Sequence, residues 1–367
     1  MAAGAFCPQL DKMKKTAQSR NILLTGAAGF IGSNVLTYLF DKYPKYHFTV
    51  LDALTYCGDI RNIPEKIHKA RNFQFVYGDV RNQRIVEHLV SQVDTVIHFA
   101  AETHVTRSIH DDTLFFETDI LGTQRIASAV LNNRKKIRRF IHISTSEVYG
   151  TAISKGMSEV HPLNPQSPYA AAKAGADRLV YSYIATYKLP AVIVRPFNMY
   201  GPQQHLEKVI PRFITSCILG EPLTVHGTGK SSRDFTYVLD LARALDLVIH
   251  APDRKVSGEV FNVGASQSYS TRGIADMVIK SMKSWKGGGV AYSSYALNVG
   301  DRPGQVFRHT ADTRKIQKVL GWKPTIRFEE GLQKTIEWYV QNRAWWEGKI
   351  WMRHVTIETE EGKKEFH

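Results

Sequence analysis

The stretch NILLTGAAGFIGSNVLTYLF, residues 21–40, decides the fold. It opens as a short apolar strand, Asn21–Leu24, turns through Gly26, Gly29 and Gly32, and runs on as an amphipathic helix. Glycines at this spacing permit a tight turn, let a pyrophosphate approach the backbone, and let the helix pack close to the strand. The helix start then offers free N–H groups and the positive end of its dipole to phosphate. Phe30 and Ile31, between the last two glycines, belong to the same cradle. A further strand, Phe48–Leu51, ends at Asp52. A carboxylate about 20 residues past such a turn bonds a ribose 2′-hydroxyl and disfavours a 2′-phosphate, which selects NAD over NADP. The competing role for Asp52 is to cap a turn.

Outward from that unit, strands and helices alternate. Phe73–Tyr77 reads as a strand and leads to Gly78-Asp79-Val80, where Asp79 can meet the adenine amino group and Val80 can line the same site. A helix over 82–92 precedes the strand Thr95–Phe99. The small residues Ala100 and Ala101 at that strand's end leave room for a cofactor in the crevice of a parallel sheet. His104 follows in a loop and is read as structural. A long helix, Thr113–Asn132, and a strand, Arg139–Ser144, complete a pattern that predicts an α/β fold, a Rossmann-type doubly wound parallel sheet over residues 21–195.

The last of those strands delivers IHISTSEVYG, residues 141–150, and SPYAAAK follows at 167–173. The alanine-rich segment predicts a helix, and i,i+4 spacing puts Tyr169 and Lys173 on one face. A phenol at its reference pKa of about 10 is a poor base at neutral pH. A nearby ammonium and a cationic oxidised nicotinamide ring both favour the phenolate. Such a pair can take a proton from a sugar hydroxyl as the same carbon is oxidised. Thr145, Ser146 and Glu147 complete the candidate catalytic set, and Tyr149 is read as a packing or substrate-wall aromatic.

The chain has 367 residues, with 43% hydrophobic and 22% charged, the composition of an ordinary globular protein with one large unit and an appended lobe. Residues 1–20 carry Lys12, Lys14 and Lys15 with no apolar run behind them, so they read as a disordered leader rather than a signal peptide. No apolar run approaches the roughly 20 residues that span a bilayer. Three scattered cysteines, Cys7, Cys57 and Cys217, lack metal spacing and suit a reducing cytoplasm. The net charge of +14 is dispersed and comes without nucleic-acid motifs, so an anionic small substrate is the better reason for basic residues in a cleft. No metal site and no membrane partner are expected.

Past Lys173 the helix continues to about Tyr187, and Ala191–Pro196 is a strand. Residues 196–342 lack a second cofactor turn and are read mainly as a substrate lobe, some of whose elements return to the main sheet. They contain a helix Val209–Leu219, a hairpin-like Leu223–Asp234, a helix near 240–250, a glycine-rich connection Lys283–Gly289, and a helix Glu329–Asn342. The tail, 343–367, holds Trp345, Trp346 and Trp351, read as packing or interface residues.

LDALTYCGDIRNI (51–63), AAETHVTRSI (100–109), GPQQHLEKVIPRFI (201–214), GKSSRDFTYVLDLARAL (229–245) and DRPGQVFRHTADTRKI (301–316) carry a resemblance beyond the glycine turn and the Tyr-Lys pair. Over about residues 20–342 the chain resembles the extended short-chain dehydrogenase/reductase family, and within it the nucleotide-sugar 4,6-dehydratases of the dTDP-glucose type. The resemblance implies a tightly held NAD, a nucleotide-diphosphate sugar as substrate, and a homodimer built through paired helices. It also places Asn198, Lys208 and Val209 along the substrate, and Arg233 and Arg302 become candidates for the diphosphate because a guanidinium fork matches phosphate geometry.

Two positions depart from the pattern. The glucose dehydratases show Thr-Asp-Glu where this chain has Thr145-Ser146-Glu147, and usually Asp where it has Thr106. In the family the Asp protonates the departing C6 hydroxyl and the Glu removes the C5 proton. Serine is no strong acid, so either Glu147 performs both proton transfers or water is not eliminated. The reaction implied is oxidation at C4 with Tyr169 as base, C5 deprotonation by Glu147 with Thr145 and Ser146 bonding the oxyanion, loss of the C6 hydroxyl, and reduction at C6. A UDP-glucuronate decarboxylase or a 4-epimerase using the same 4-ketone is the alternative, and a non-enzymatic dinucleotide sensor the third.

Overall fold

The computed structural model describes residues 19–284, 296–300, 306–353, 356–358 and 364–366. Leader residues 1–18, Gly287–Gly289 of the glycine-rich connection, and Arg302 lie outside them. Of the leader, Arg20 meets the sheet, its O accepting from His47 N at 2.8 Å, and Ser19 Oγ donates to Lys45 O at 2.8 Å.

The core is a seven-stranded, all-parallel sheet. Its strands are β1 (Asn21–Thr25), β2 (His47–Asp52), β3 (Phe73–Tyr77), β4 (Thr95–His98), β5 (Arg139–Ile143), β6 (Ala191–Pro196) and β10 (Val260–Val263). Their order across the sheet is β10-β6-β5-β4-β1-β2-β3. The chain runs outward from β1 to β3, then returns to β4 on the other side of β1. A crevice therefore opens at the carboxyl ends of β1 and β4, where such sheets bind ligands. Side chains alternate across the sheet: Ile22 and Leu24 join the core under the first helix (Phe30–Lys42), while Leu23 joins the opposite one with Val86 and Val130.

β10 comes from the second half of the chain, as does the helix Val238–His250, whose Leu241, Leu245 and Val248 share a core with Val35 and Leu39 of the first helix. A separate core holds the smaller lobe, built on the helices Val209–Leu219, Thr271–Ser284 and Phe328–Gln341. The stretch 223–234 is not a hairpin. Its two strands, β8 (Leu223–His226) and β9 (Ser232–Tyr237), enter different sheets. β8 pairs in parallel with β12 (Ala296–Val299), whereas β9 pairs with β7 (Asn198–Tyr200) and β11 (Ser268–Ser270). Local sequence offers a turn between the strands, but long-range pairing decides where each one goes.

The run 113–132 is helical throughout, yet it widens to a π turn over Phe116–Gly122 before resuming as Thr123–Asn132. That turn carries the buried Asp119, whose Oδ1 accepts from Glu102 N at 2.8 Å and so ties the helix to the loop after β4.

The helix Pro168–Tyr187, which carries Tyr169 and Lys173, is fixed by a buried ion pair. Arg195 of β6 donates from Nε and Nη2 to the two oxygens of Asp177, each at 2.8 Å, and Ser144 Oγ donates to Asp177 Oδ2 at 2.8 Å. Burial alone would raise the Asp177 pKa, but Arg195 and Arg178 more than offset it and hold the group below the ordinary carboxylate range. Its stabilisation is therefore present above the unfolded-state pKa and lost as pH falls through the lower folded value. Asp177→Ala leaves a buried guanidinium unpaired and is expected to lower stability by about 3–5 kcal/mol. Urea unfolding at neutral pH checks this, and an unchanged midpoint would remove the clamp from consideration.

Candidate active site

One large cleft runs from the glycine turn to the end of β5 and on to the smaller lobe. At its cofactor end Gly26 has φ +70°, and a Cβ there would lie 2.5 Å from Ala100 N, so the turn sits directly against the end of β4. A Cβ on Gly32 would lie 2.6 Å from Ala27 Cα, which lets the first helix start hard against the turn. Gly29 is that helix's N-cap and supplies no side-chain cap, leaving the first N–H groups to the cleft. Phe30, Ile31, Asp79, Val80, Ala100 and Ala101 all line the same space. These residues fit a dinucleotide, because only a bare backbone leaves room for a pyrophosphate there.

Asp52 reaches this cleft with both oxygens already engaged. Oδ2 accepts from Ala28 N and Oδ1 from Leu54 N, each at 2.8 Å, so the carboxylate caps the turn while it lines the cleft. Each oxygen keeps a second lone pair for a ligand. Burial raises its pKa, and the two backbone donors oppose that. Asp79 is likewise engaged, accepting from Arg81 N at 2.7 Å and from Arg81 Nε at 3.0 Å.

The catalytic candidates meet where β5 ends. Thr145 caps the short turn Ser146–Tyr149, its Oγ1 accepting from Glu147 N at 3.2 Å, and this turn presents Ser146 and Glu147 to the cleft. Tyr169 is buried, faces the same cleft as Thr145, and is held edge-on by Phe115 at 6.2 Å between ring centroids. Lys173 lies one turn further along the helix and donates from Nζ to Ile143 O at 2.9 Å. Burial, with the nearby Asp119 and Glu147 carboxylates, raises the Tyr169 pKa, and the Thr145 hydroxyl lowers it. Burial also lowers the Lys173 pKa, against the pull of Asp119 and Asp177. Tyr149, by contrast, is fully buried and bonds Asn262 Oδ1 at 2.7 Å, so it is a packing residue.

The far end of the cleft is basic. Lys208 donates to Thr103 O at 2.9 Å, Val209 begins its helix, and Asn198 carries a buried amide nitrogen without a hydrogen-bond partner among the described residues. Arg233 lines the same space with Arg212, His226 and Arg353. Sequence reasoning missed these last three. Arg212 follows Lys208 at i,i+4 and was detectable, whereas Arg353 arrives from the tail and gives no local signal. It also missed Glu207, a buried carboxylate among His104 (3.7 Å), Arg107 (3.4 Å), His205 (3.6 Å) and Lys208 (3.6 Å). Burial would raise its pKa, but the surrounding His104, Lys208, His205 and Arg107 hold it down to about 2. His104 additionally caps the helix Val105–His110, accepting from Arg107 N at 3.2 Å, consistent with its structural reading. Trp345 and Trp346 pack, bonding Asn62 Oδ1 at 2.9 Å and Tyr339 O at 2.7 Å, whereas Trp351 is exposed.

Residues 23–335 match the family model described as GDP-mannose 4,6 dehydratase. The chain is 41% identical over 330 residues to a dTDP-glucose 4,6-dehydratase of Streptomyces niveus, covering 89% of this chain and 94% of that one. It is 39% identical over 336 residues to a trifunctional UDP-glucose 4,6-dehydratase/UDP-4-keto-6-deoxy-D-glucose 3,5-epimerase/UDP-4-keto-L-rhamnose-reductase of Arabidopsis thaliana. That match covers 90% of this chain, which spans about half the length of that relative, 49%. Among solved structures it resembles the dTDP-glucose 4,6-dehydratase of Streptomyces venezuelae with NAD and TYD bound, at TM-score 0.82 and 36% identity over 89% of this chain and 99% of that one. With the parallel sheet, the glycine turn and the Tyr169–Lys173 helix in place, the chain belongs to the GDP-mannose 4,6 dehydratase family, among the extended short-chain dehydrogenase/reductases with the nucleotide-sugar 4,6-dehydratases.

Proposed function

We propose that this protein is an NAD-dependent nucleotide-sugar 4,6-dehydratase, converting a UDP- or dTDP-linked hexose to its 4-keto-6-deoxy form. The observation that carries this reading is the meeting of Tyr169, Thr145, Ser146 and Glu147 in one cleft whose other end is the glycine turn. A simple epimerase inverts C4 and needs no base for C5, whereas Glu147 faces the same cleft as Tyr169 on the turn that Thr145 caps. NAD, when bound, supplies the acceptor for the hydrogen leaving C4 and the donor for C6. The chain's residues do the rest. Tyr169 takes the C4 hydroxyl proton, Thr145 holds the O4 atom, and Glu147 takes the C5 proton once the ketone has acidified it. Arg233 and Arg302 take the diphosphate, with Arg212, His226 and Arg353 adding positive charge. Asn198, Lys208 and Val209 line the sugar nucleotide.

Residues 21–195 serve mainly the cofactor in this reading, and 196–342 mainly the substrate. A homodimer would pair the helical runs 113–132 and 168–187, whose outer faces expose Leu114, Phe116, Leu121, Tyr181 and Tyr187. No described helix is long and apolar enough to cross a membrane. Cys57 and Cys217 are free, which suits the cytoplasm.

The test is to incubate the purified protein with a panel of nucleotide hexoses and read product masses. Loss of one water supports the reading; loss of carbon dioxide or an unchanged mass with inverted C4 would replace it. The cofactor choice is separately testable. The protein is expected to bind NAD over NADP, because the Asp52 carboxylate repels a 2′-phosphate. Asp52→Ala is expected to weaken NAD more than NADP and to cost about 1–3 kcal/mol of stability, since two buried N–H groups lose their acceptor. Calorimetric titration with both cofactors decides it: equal affinities in the unmutated protein would contradict this role.

A further inference from the structure

Ser146 poses the chemical problem of this site. A hydroxyl cannot by itself protonate a departing hydroxide, yet Ser146 stands next to Glu147 on the turn that faces the sugar. Behind it lies His309, fully buried at 0% exposure. The His309 ring spans the catalytic turn from end to end. Its Nε2 is 2.7 Å from Gly150 O, so that nitrogen must carry the proton and donate it. The tautomer is thereby fixed, and Nδ1 is left facing the catalytic pair, 3.3 Å from Ser146 Oγ and 3.7 Å from Glu147 Oε1. One nitrogen thus stands within reach of both groups that handle substrate protons.

We propose that His309 is the proton relay of this site, a positioning residue that carries the C5 proton from Glu147 to Ser146 and so to the leaving C6 oxygen. This rests on the dehydratase reading above. The step balances as follows. Glu147 takes the C5 proton, and the C–H electron pair becomes the C5=C6 double bond. The C6–O bond breaks with its electrons on oxygen. Glu147 passes its proton to His309 Nδ1, giving a transient imidazolium. The imidazolium then returns a proton to Ser146 Oγ as the Ser146 hydroxyl proton goes to the departing oxygen, which leaves as water. Glu147, His309 and Ser146 end in their starting states. Reprotonation of C5 later draws one proton from solvent, matched by the C4 hydroxyl proton that Tyr169 releases, so the net loss is one water.

The surroundings suit a transient rather than a resident charge. Burial lowers the pKa of His309; Glu147 opposes that, while Arg233 and His161 add to it. The ring stands edge-on to Phe197 at 6.3 Å between centroids, which fixes its plane. Catalytic hydrogen bonds are often longer in ligand-free structures than in the substrate complex.

The test compares two leaving groups in single turnover. With the natural 6-hydroxy substrate, His309→Gln is expected to form reduced cofactor at the unmutated rate and to slow elimination by about 10²-fold or more. With a 6-deoxy-6-fluoro analogue the leaving fluoride needs no proton, and His309→Gln is expected to eliminate it as fast as the unmutated protein. Glutamine can keep the donor to Gly150 O, and a thermal melt checks folding. Ser146→Ala is a second variant with the same expected split. Slowing with both substrates would make His309 structural, and slowing with neither would leave Glu147 doing both proton transfers; either result overturns the relay. If the unmutated protein eliminates neither water nor fluoride, the dehydratase reading itself fails, a distinct outcome.

Discussion

Replacing Tyr169 by Phe is expected to abolish oxidation at C4 while leaving the fold intact. Only a hydroxyl is lost. The ring keeps its edge-on contact with Phe115, and the helix keeps the Asp177–Arg195 clamp at its next turns. The chemical loss is larger, because in the proposed reaction Tyr169 is the group that takes the C4 hydroxyl proton, and a positioned acid or base contributes about 10²–10⁴ in rate. Rapid mixing with substrate and following reduced-cofactor absorbance checks this, and an unchanged rate would exclude Tyr169 as the base. The raised Tyr169 pKa in the protein alone adds a condition. An oxidised, cationic nicotinamide ring near the phenol would favour its anion and so help Tyr169 act as the base.

Glu147→Gln is expected to separate the two halves of the reaction. Tyr169, Lys173 and the glycine turn are untouched, so oxidation at C4 proceeds. Glutamine is nearly isosteric and keeps the backbone cap to Thr145 Oγ1, so the turn keeps its shape. With no carboxylate to take the C5 proton, elimination is expected to fall by about 10²–10⁴ and reduced cofactor to accumulate alongside the 4-keto hexose. Unlike His309→Gln, this variant is expected to fail with the fluoro analogue as well, since C5–H must break whatever leaves C6. Mass spectrometry of the quenched sugar nucleotide, with absorbance for the cofactor, measures both halves. A dehydrated product formed at the unmutated rate would remove Glu147 from the mechanism.

The parallel sheet was legible because each of its strands through β6 lies next to its own turn and helix, and the glycines at 26, 29 and 32 leave few alternatives for the crossing. The Tyr169–Lys173 helix was legible for the same local reason. What sequence could not show is long-range. The strands at 223–226 and 232–237 look like neighbours but part company, because their partners at 296–299 and 198–200 lie far along the chain. His309 was hidden in the same way. It sits in a motif that carries the family resemblance, but its partner Ser146 is 163 residues away, and no periodicity links them. Asp52 was half legible: turn-capping was one of the roles its position offered, while the two backbone groups it holds, Ala28 N and Leu54 N, depend on the turn's three-dimensional shape. The π turn at 116–122 was not read from the sequence, which offered one unbroken helix over 113–132.

The central claim, that the 4-ketone of a nucleotide hexose loses its C5 proton to Glu147 and then the C6 hydroxyl, is tested most directly by turnover in heavy water. The unmutated protein is incubated with the nucleotide hexose it converts, and the product is read by mass and by NMR at C5. The expected product is lighter by one water and carries one solvent deuterium at C5, because that carbon is reprotonated within the site. A product of unchanged mass with inverted C4, or a dehydrated product with no deuterium at C5, would contradict it.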